Sequence, residues 1–208
     1  MMVDQEHVQS LTIVERGHAS LFAENFKTIF RAIGFDPKLI KQHGAICCDV
    51  EYGAEVVAIT QQYSPKKVYA SEPTYGVTAE GRKDDVEKAT VLSDLCRSPR
   101  ITLLRLYSRD ALAWIASKDP LFRAALYTRL NIFPEFLREG GIFAHLQEVA
   151  PLLALGGIAL LSVSDPDHVE FLGRVAENHS IPHIQMKTIT FSESRVIGSG
   201  VLMAKKTQ

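Results

Sequence analysis

The sequence predicts an α/β fold, a mostly parallel seven-stranded sheet with helices on both faces and an antiparallel hairpin at its carboxyl end. Three observations carry this expectation. Short, continuous apolar runs of the kind that buried parallel strands show recur between Ala45 and Val163. Between them lie segments long enough for a crossover helix, and strand–helix–strand alternation demands parallel pairing with right-handed crossovers. The last two runs are separated only by Ser192, Glu193, Ser194 and Arg195, too short for a crossover, so they must pair antiparallel.

The elements follow in order. From about Asp4 to His43 the apolar residues Leu21, Phe22, Phe26, Ile29, Phe30 and Ile33 recur at helical steps, with Gly34 placed to end a helix. Residues 1–43 are therefore expected to form an amino-terminal helical cap, and 44–208 the α/β body, in one globular unit. Strands are expected at Ala45–Asp49, Lys67–Ser71, Ile101–Leu106, Phe122–Tyr127 and Ile158–Val163, then Ile184–Phe191 and Val196–Ala204 in the hairpin. Helices are expected at Glu55–Gln62, Thr78–Arg97, Ala111–Ser117, Gly141–Ala154 and Pro166–Asn178. Trp114 falls on the inward face of the short third one.

Bulk composition narrows the function. A chain of 208 residues with 46% apolar and 23% charged residues matches an ordinary globular domain. Its 23 basic and 24 acidic residues include no basic run beyond pairs, so the sequence indicates no nucleic-acid partner. The longest apolar stretch, around Val149 to Val163, is broken by Pro151, Gly156 and Gly157 and is too short to span a membrane. With no basic-then-apolar leader at the amino terminus, the expected compartment is cytoplasmic. Cys47, Cys48 and Cys96 lack metal or disulfide spacing and read as buried thiols. No metal site is expected: Pro182 interrupts the helix that would align His179 with His183, and Asp165, Asp167 and His168 sit where a helix start recruits acids.

The turn after the first strand, Gly44 to Glu55, reads Gly-Ala-Ile-Cys-Cys-Asp-Val-Glu-Tyr-Gly-Ala-Glu. It resembles the first motif of the class I S-adenosylmethionine-dependent methyltransferases, an acid ending strand one followed by glycines at alternate positions. Asp49 matches the acid and Gly53 the central glycine, while Glu51 and Glu55 occupy the other two glycine positions. Further along, Glu72 ends strand two as does the family's ribose-binding acid, and Asp110 with Ala111 resemble its adenine site. The segment from His145 to Val163 is similar to the family's helix, Gly-Gly turn and fifth strand, and the hairpin stands where the family places its reversed seventh strand.

The resemblance implies a Rossmann-like sheet, S-adenosylmethionine as cofactor, and cofactor contacts at Asp49, Glu51, Gly53, Glu72, Asp110 and Ala111. A glycine in such a turn lets backbone N–H donors approach a ligand. A glutamate there can work against it: a carboxylate 4 Å from the cofactor's own costs roughly 4 kcal/mol at an effective dielectric near 20. Directed at the sulfonium, the same charge would be favourable.

Methyl transfer is a displacement that rests on positioning, so no catalytic triad is required. Candidates for substrate contact follow strand four: Tyr127, Arg129 and Asn131, with a strand-end tyrosine packed in the core as the competing account for Tyr127. Two readings follow. One is a methyltransferase acting on a small molecule, with the amino-terminal helices over its pocket and room for a homodimer. The other is a catalytically inactive relative that keeps the fold for binding. A nucleotide-dependent oxidoreductase is disfavoured, because G-x-G-x-x-G is missing after strand one.

Overall fold

A computed structural model describes residues 13–50, 53–73, 97–130, 141–190 and 199–208. The expected helix Thr78–Arg97 lies almost wholly outside these residues. Their elements run α1 (Ile13–Ile33), α2 (Lys38–His43), β1 (Ala45–Cys48), α3 (Ala54–Tyr63), β2 (Val68–Ser71), β3 (Ile101–Leu104), α4 (Ser108–Lys118), β4 (Ala124–Arg129), α5 (Gly141–Val149), β5 (Leu153–Val163), α6 (Pro166–Asn178), β6 (Ile184–Thr190) and β7 (Gly200–Lys206).

The strands form one seven-stranded sheet in the order β3-β2-β1-β4-β5-β7-β6. The first five are parallel, whereas β7 runs antiparallel to both β5 and β6. The predicted architecture is thus present, with its one reversed strand inserted between two strands of the opposite sense. Alternating side chains feed two cores. On one face α1, α2 and α3 bury Phe26, Ile29, Phe30, Ile40, Val56 and Ile59 against Cys47, Ala70 and Leu160. On the other, α4, α5 and α6 bury Leu112, Ile115, Leu146 and Leu172 against Ile46, Cys48, Tyr127 and Leu161. All four residues of β1 are buried, as a strand covered on both faces requires.

Several boundaries differ from the sequence reading, each for a local reason. β4 begins at Ala124 and ends at Arg129, two residues late, because a turn closed by Phe122 N–H on the Asp119 carbonyl holds Phe122 outside the strand. α4 begins at Ser108, so Asp110 lies within its first turn instead of preceding it. α5 stops at Val149 and a 3₁₀ turn carries Pro151, which cannot continue an α-helix ladder. β5 then starts at Leu153, five residues early, with the Gly-Gly pair inside the strand as a bulge. Ala124 pairs with Leu153 and Leu126 with Ile158, so Ala154 to Gly157 stand opposite Ala125 alone. Asp165 caps α6 by accepting from Asp167 N–H at 2.9 Å, with Pro166 at the first helical position. Among the described residues, no helix is long and apolar enough to cross a membrane.

Candidate functional site

Because β1 to β5 are parallel, their carboxyl ends lie together, and ligands in such sheets bind beyond those ends. The register sets the neighbours. Cys48 pairs with Ser71 on one side and Arg129 on the other, so Asp49 and Glu72 follow side by side at the ends of β1 and β2. Glu72 donates its backbone N–H to the Leu104 carbonyl, which anchors it to the end of β3, and its side chain is buried. Four of the sequence-selected residues, Asp49, Gly53, Glu72 and Arg129, thus stand at or just beyond the carboxyl ends of the neighbouring strands β2, β1 and β4.

The turn from β1 into α3 is conformationally special at both ends. Asp49 adopts φ 57° and Gly53 φ 77°, both left-handed, a region glycine enters freely and Asp more readily than most residues. Gly53 is the N-cap of α3, and its N–H reaches the Val50 carbonyl at 2.6 Å. Residues 51–52 lie outside the described ones, Glu51 among them.

Glu55 sits in the first turn of α3 and is 4% exposed. Its carboxylate accepts from Thr128 Oγ1 at 2.9 Å, across to β4 on the helix α3 side of the sheet. The positive end of the helix stabilises a charge placed there. Glu55 is therefore directed into the protein between α3 and the sheet, away from open space above the strand ends. Thr128 is a partner the sequence reading missed; its pairing with Cys47 becomes visible only once β4 is known to lie beside β1. Burial first, then the Glu55 charge, pushes the Cys47 thiol well above its usual range, and burial pushes Cys48 to about 12. Both cysteines are free and buried.

Asp49 and Arg129 join the ends of β1 and β4. Arg129 Nε donates to Asp49 Oδ2 at 2.7 Å, with the two side chains only 13% and 23% exposed. Tyr127, two residues earlier on the same face of β4 and opposite to Thr128, has no exposure at all. Its hydroxyl shares a 2.5 Å hydrogen bond with His145 Nε2 of α5. Burial raises the Tyr127 pKa well above its ordinary value, while burial, with a smaller push from Arg129, lowers that of His145 to about 3. Both rings are neutral packing groups beneath the strand ends, the core role that the competing account gave to Tyr127. Asn131 lies outside the described residues.

The remaining pair does not join this group as neatly. Asp110 is exposed in the first turn of α4, and Ala111 is fully buried in the second core against the sheet. Ala111 N–H donates to the Tyr107 carbonyl at 2.9 Å, in the turn that follows β3.

No protein-family model matches the sequence, and no curated protein matches it. Solved structures do. Over 93% of this chain and 82% of the other, the fold is similar to human methyltransferase-like protein 13 in complex with SAH, at 13% identity and a TM-score of 0.55. An rRNA methylase from Streptococcus thermophilus is similar over 79% of this chain and 86% of its own, at 13% identity and a TM-score of 0.53. The chain has the Rossmann-like methyltransferase fold, as the strand order and the reversed β7 already indicate.

Proposed function

We propose that the protein is an S-adenosylmethionine-dependent methyltransferase, and that it acts on a small molecule in the cytoplasm. The observation that carries the reading is the placement of two acids, Asp49 and Glu72, at adjacent strand ends of a methyltransferase sheet, beside a left-handed glycine that opens α3. The described residues suit the cofactor chemically. Glu72 offers a carboxylate to two ribose hydroxyls, contacts worth roughly 1.5 to 3 kcal/mol when charge-assisted. Gly53 opens α3 without a side chain; its own N–H bonds the Val50 carbonyl, and it is the N–H groups of the helix's first turn that suit a carboxylate. Glu55, which would oppose an anion there, is turned toward Thr128.

When bound, S-adenosylmethionine supplies an activated methyl group for direct displacement. The chain's part is to orient it and to exclude water, with Arg129, held by Asp49 at the end of β4, placed to orient an acceptor. The small-molecule preference rests on a balanced charge and on the lack of a basic run in the sequence.

One observation favours a second reading, a binding protein without activity: the Asp49–Arg129 ion pair ties together the two strand ends between which a ligand would sit. Isothermal titration with S-adenosylmethionine and S-adenosylhomocysteine separates the two. Micromolar binding that Glu72→Ala weakens by about 1.5 to 3 kcal/mol supports the methyltransferase. No heat at millimolar ligand leaves the second reading standing.

A further inference from the structure

The opposite end of the sheet carries a second feature, independent of the proposed cofactor site. The residues that immediately precede β1, β2 and β4, together with the start of β5, line one cavity of about 430 Å³: His43, Lys66, Lys67, Phe122, Arg123 and Leu155 among them. These four strands are consecutive in the sheet, so the cavity spans about 14 Å of strand ends.

Its rim is apolar in an unusual way. Leu121 is 90% exposed and Leu155 is 58% exposed, two of the four large hydrophobic side chains that stand open to solvent among the described residues. A single exposed leucine is ordinary, but two on the lip of one cavity form a patch. The fold maintains this exposure actively. The β5 bulge around Gly156, at φ 76°, lifts Leu155 out of the ladder, while Ala154 beside it is buried.

The charge around that rim is of one sign. Lys66, Lys67 and Arg123 line the cavity and, among the described residues, no acid does. Asp119, at the end of α4, accepts from Lys67 Nζ at 2.9 Å and from the Tyr69 hydroxyl at 2.8 Å, contacts that hold its pKa below the usual range and offset the Lys67 charge, so that Lys66 and Arg123 carry the sign of the rim. Lys41 and Lys118, at the last turns of α2 and α4, extend the same sign. A chain of formal net charge −1 concentrates cations here.

We propose that this face is a docking site for an acidic protein segment that inserts aliphatic side chains between Leu121 and Leu155. Charge complementarity selects that occupant. A second copy of the chain packed by a two-fold axis would set Lys66 and Arg123 against their own like charges. Nucleic acid would match the cations but would leave both leucines against phosphate and sugar.

The test uses the full chain and fluorescence anisotropy. The probes are a labelled acidic helical peptide with leucines at every third and fourth position, the same peptide with serines for leucines, and a mixed-sequence single-stranded RNA. The expected result is saturable, salt-sensitive binding of the acidic leucine peptide alone, weakened about tenfold by Leu155→Asp and by Arg123→Glu. Both side chains are exposed, so the variants should fold, as a circular dichroism melt would verify. Glu72→Ala leaves this binding unchanged, which separates it from the cofactor site. Absence of peptide binding, equal binding of the serine peptide, preference for RNA, or a dimer in sedimentation that Leu155→Asp dissociates would each overturn the proposal.

Discussion

His145 ties a residue-scale fact to a measurable property. It is 3% exposed, and its pKa lies near 3 because burial, aided by Arg129, disfavours the imidazolium. The unfolded chain takes up this proton near pH 6.5 and the folded chain only near pH 3. Between those values the unfolded state binds more protons. The contribution is therefore fully present above pH 6.5 and is lost as the pH falls toward 3, at up to about 1.4 kcal/mol per unit. From pH 7 to pH 5 the unfolding free energy measured in urea should fall further for the wild type than for His145→Gln, by about 2 kcal/mol. Parallel losses in both proteins would show that the ring titrates normally in the fold. The Asp49–Arg129 pair gives a second prediction. Asp49→Asn should cost about 2 to 3 kcal/mol, between exposed and buried pairs, and adding Arg129→Met should recover part of it. A denaturation series on the single and double variants measures this. At this scale the sequence singled out Asp49, Gly53, Glu72 and Arg129 for separate roles, and the parallel sheet sets the ends of β1, β2 and β4 that carry them side by side. The sequence did not reveal that Arg129 holds Asp49 or that Thr128 holds Glu55, since both contacts cross from β1 and α3 to a strand more than seventy residues away. Only the sheet order brings those residues together.

Elements follow local rules closely enough that most of them were readable, and their boundaries slipped where backbone geometry overrode the apolar pattern. The Gly156–Gly157 pair reads as a turn before a strand, yet it lies within β5. A Cβ on Gly157 would come within 2.8 Å of both the Ala124 and Ala154 carbonyl oxygens, neither of which can move independently of the sheet. Gly44, at φ 89°, would run its Cβ into the Lys67 carbonyl that also receives the Ala45 N–H. Gly34 has φ 63° and open space around it. Alanine substitution should therefore be mildest at Gly34, at about 1 to 2 kcal/mol for left-handed strain alone. It should be larger at Gly157, where overpacking adds about 1 to 3 kcal/mol, and largest at Gly44, where strain and clash coincide. Equal urea midpoints for the three variants would contradict this order.

At the scale of the molecule, alternation of strands and helices made the parallel sheet legible, and the four-residue gap near the end made the hairpin legible. What alternation cannot supply is the position of that hairpin, because edge and interior strands can share one apolar pattern. Burial of Val201, Leu202, Met203 and Ala204 decides it: β7, last in the chain, lies inside the sheet and separates β6 from β5. β6 meanwhile alternates between half-buried and exposed positions, as an edge strand does. The consequence for folding is specific. Removing the residues from Gly200 onward strips β5 of one ladder and leaves β6 with no strand to pair with among those described. It also uncovers Val163, Leu161 and Leu202's neighbours in the second core, and Lys206 no longer meets the Ala150 and Leu153 carbonyls at 3.1 and 2.9 Å. At about 25 cal/mol per Å² of apolar surface, four such buried side chains are worth roughly 5 to 10 kcal/mol, comparable with the 5 to 15 kcal/mol by which domains are stable. A chain ending at Ser199 should show no cooperative unfolding transition and rapid proteolysis. A chain lacking only Thr207 and Gln208, which lie beyond β7 and give up just their two bonds to His183, should keep a cooperative transition.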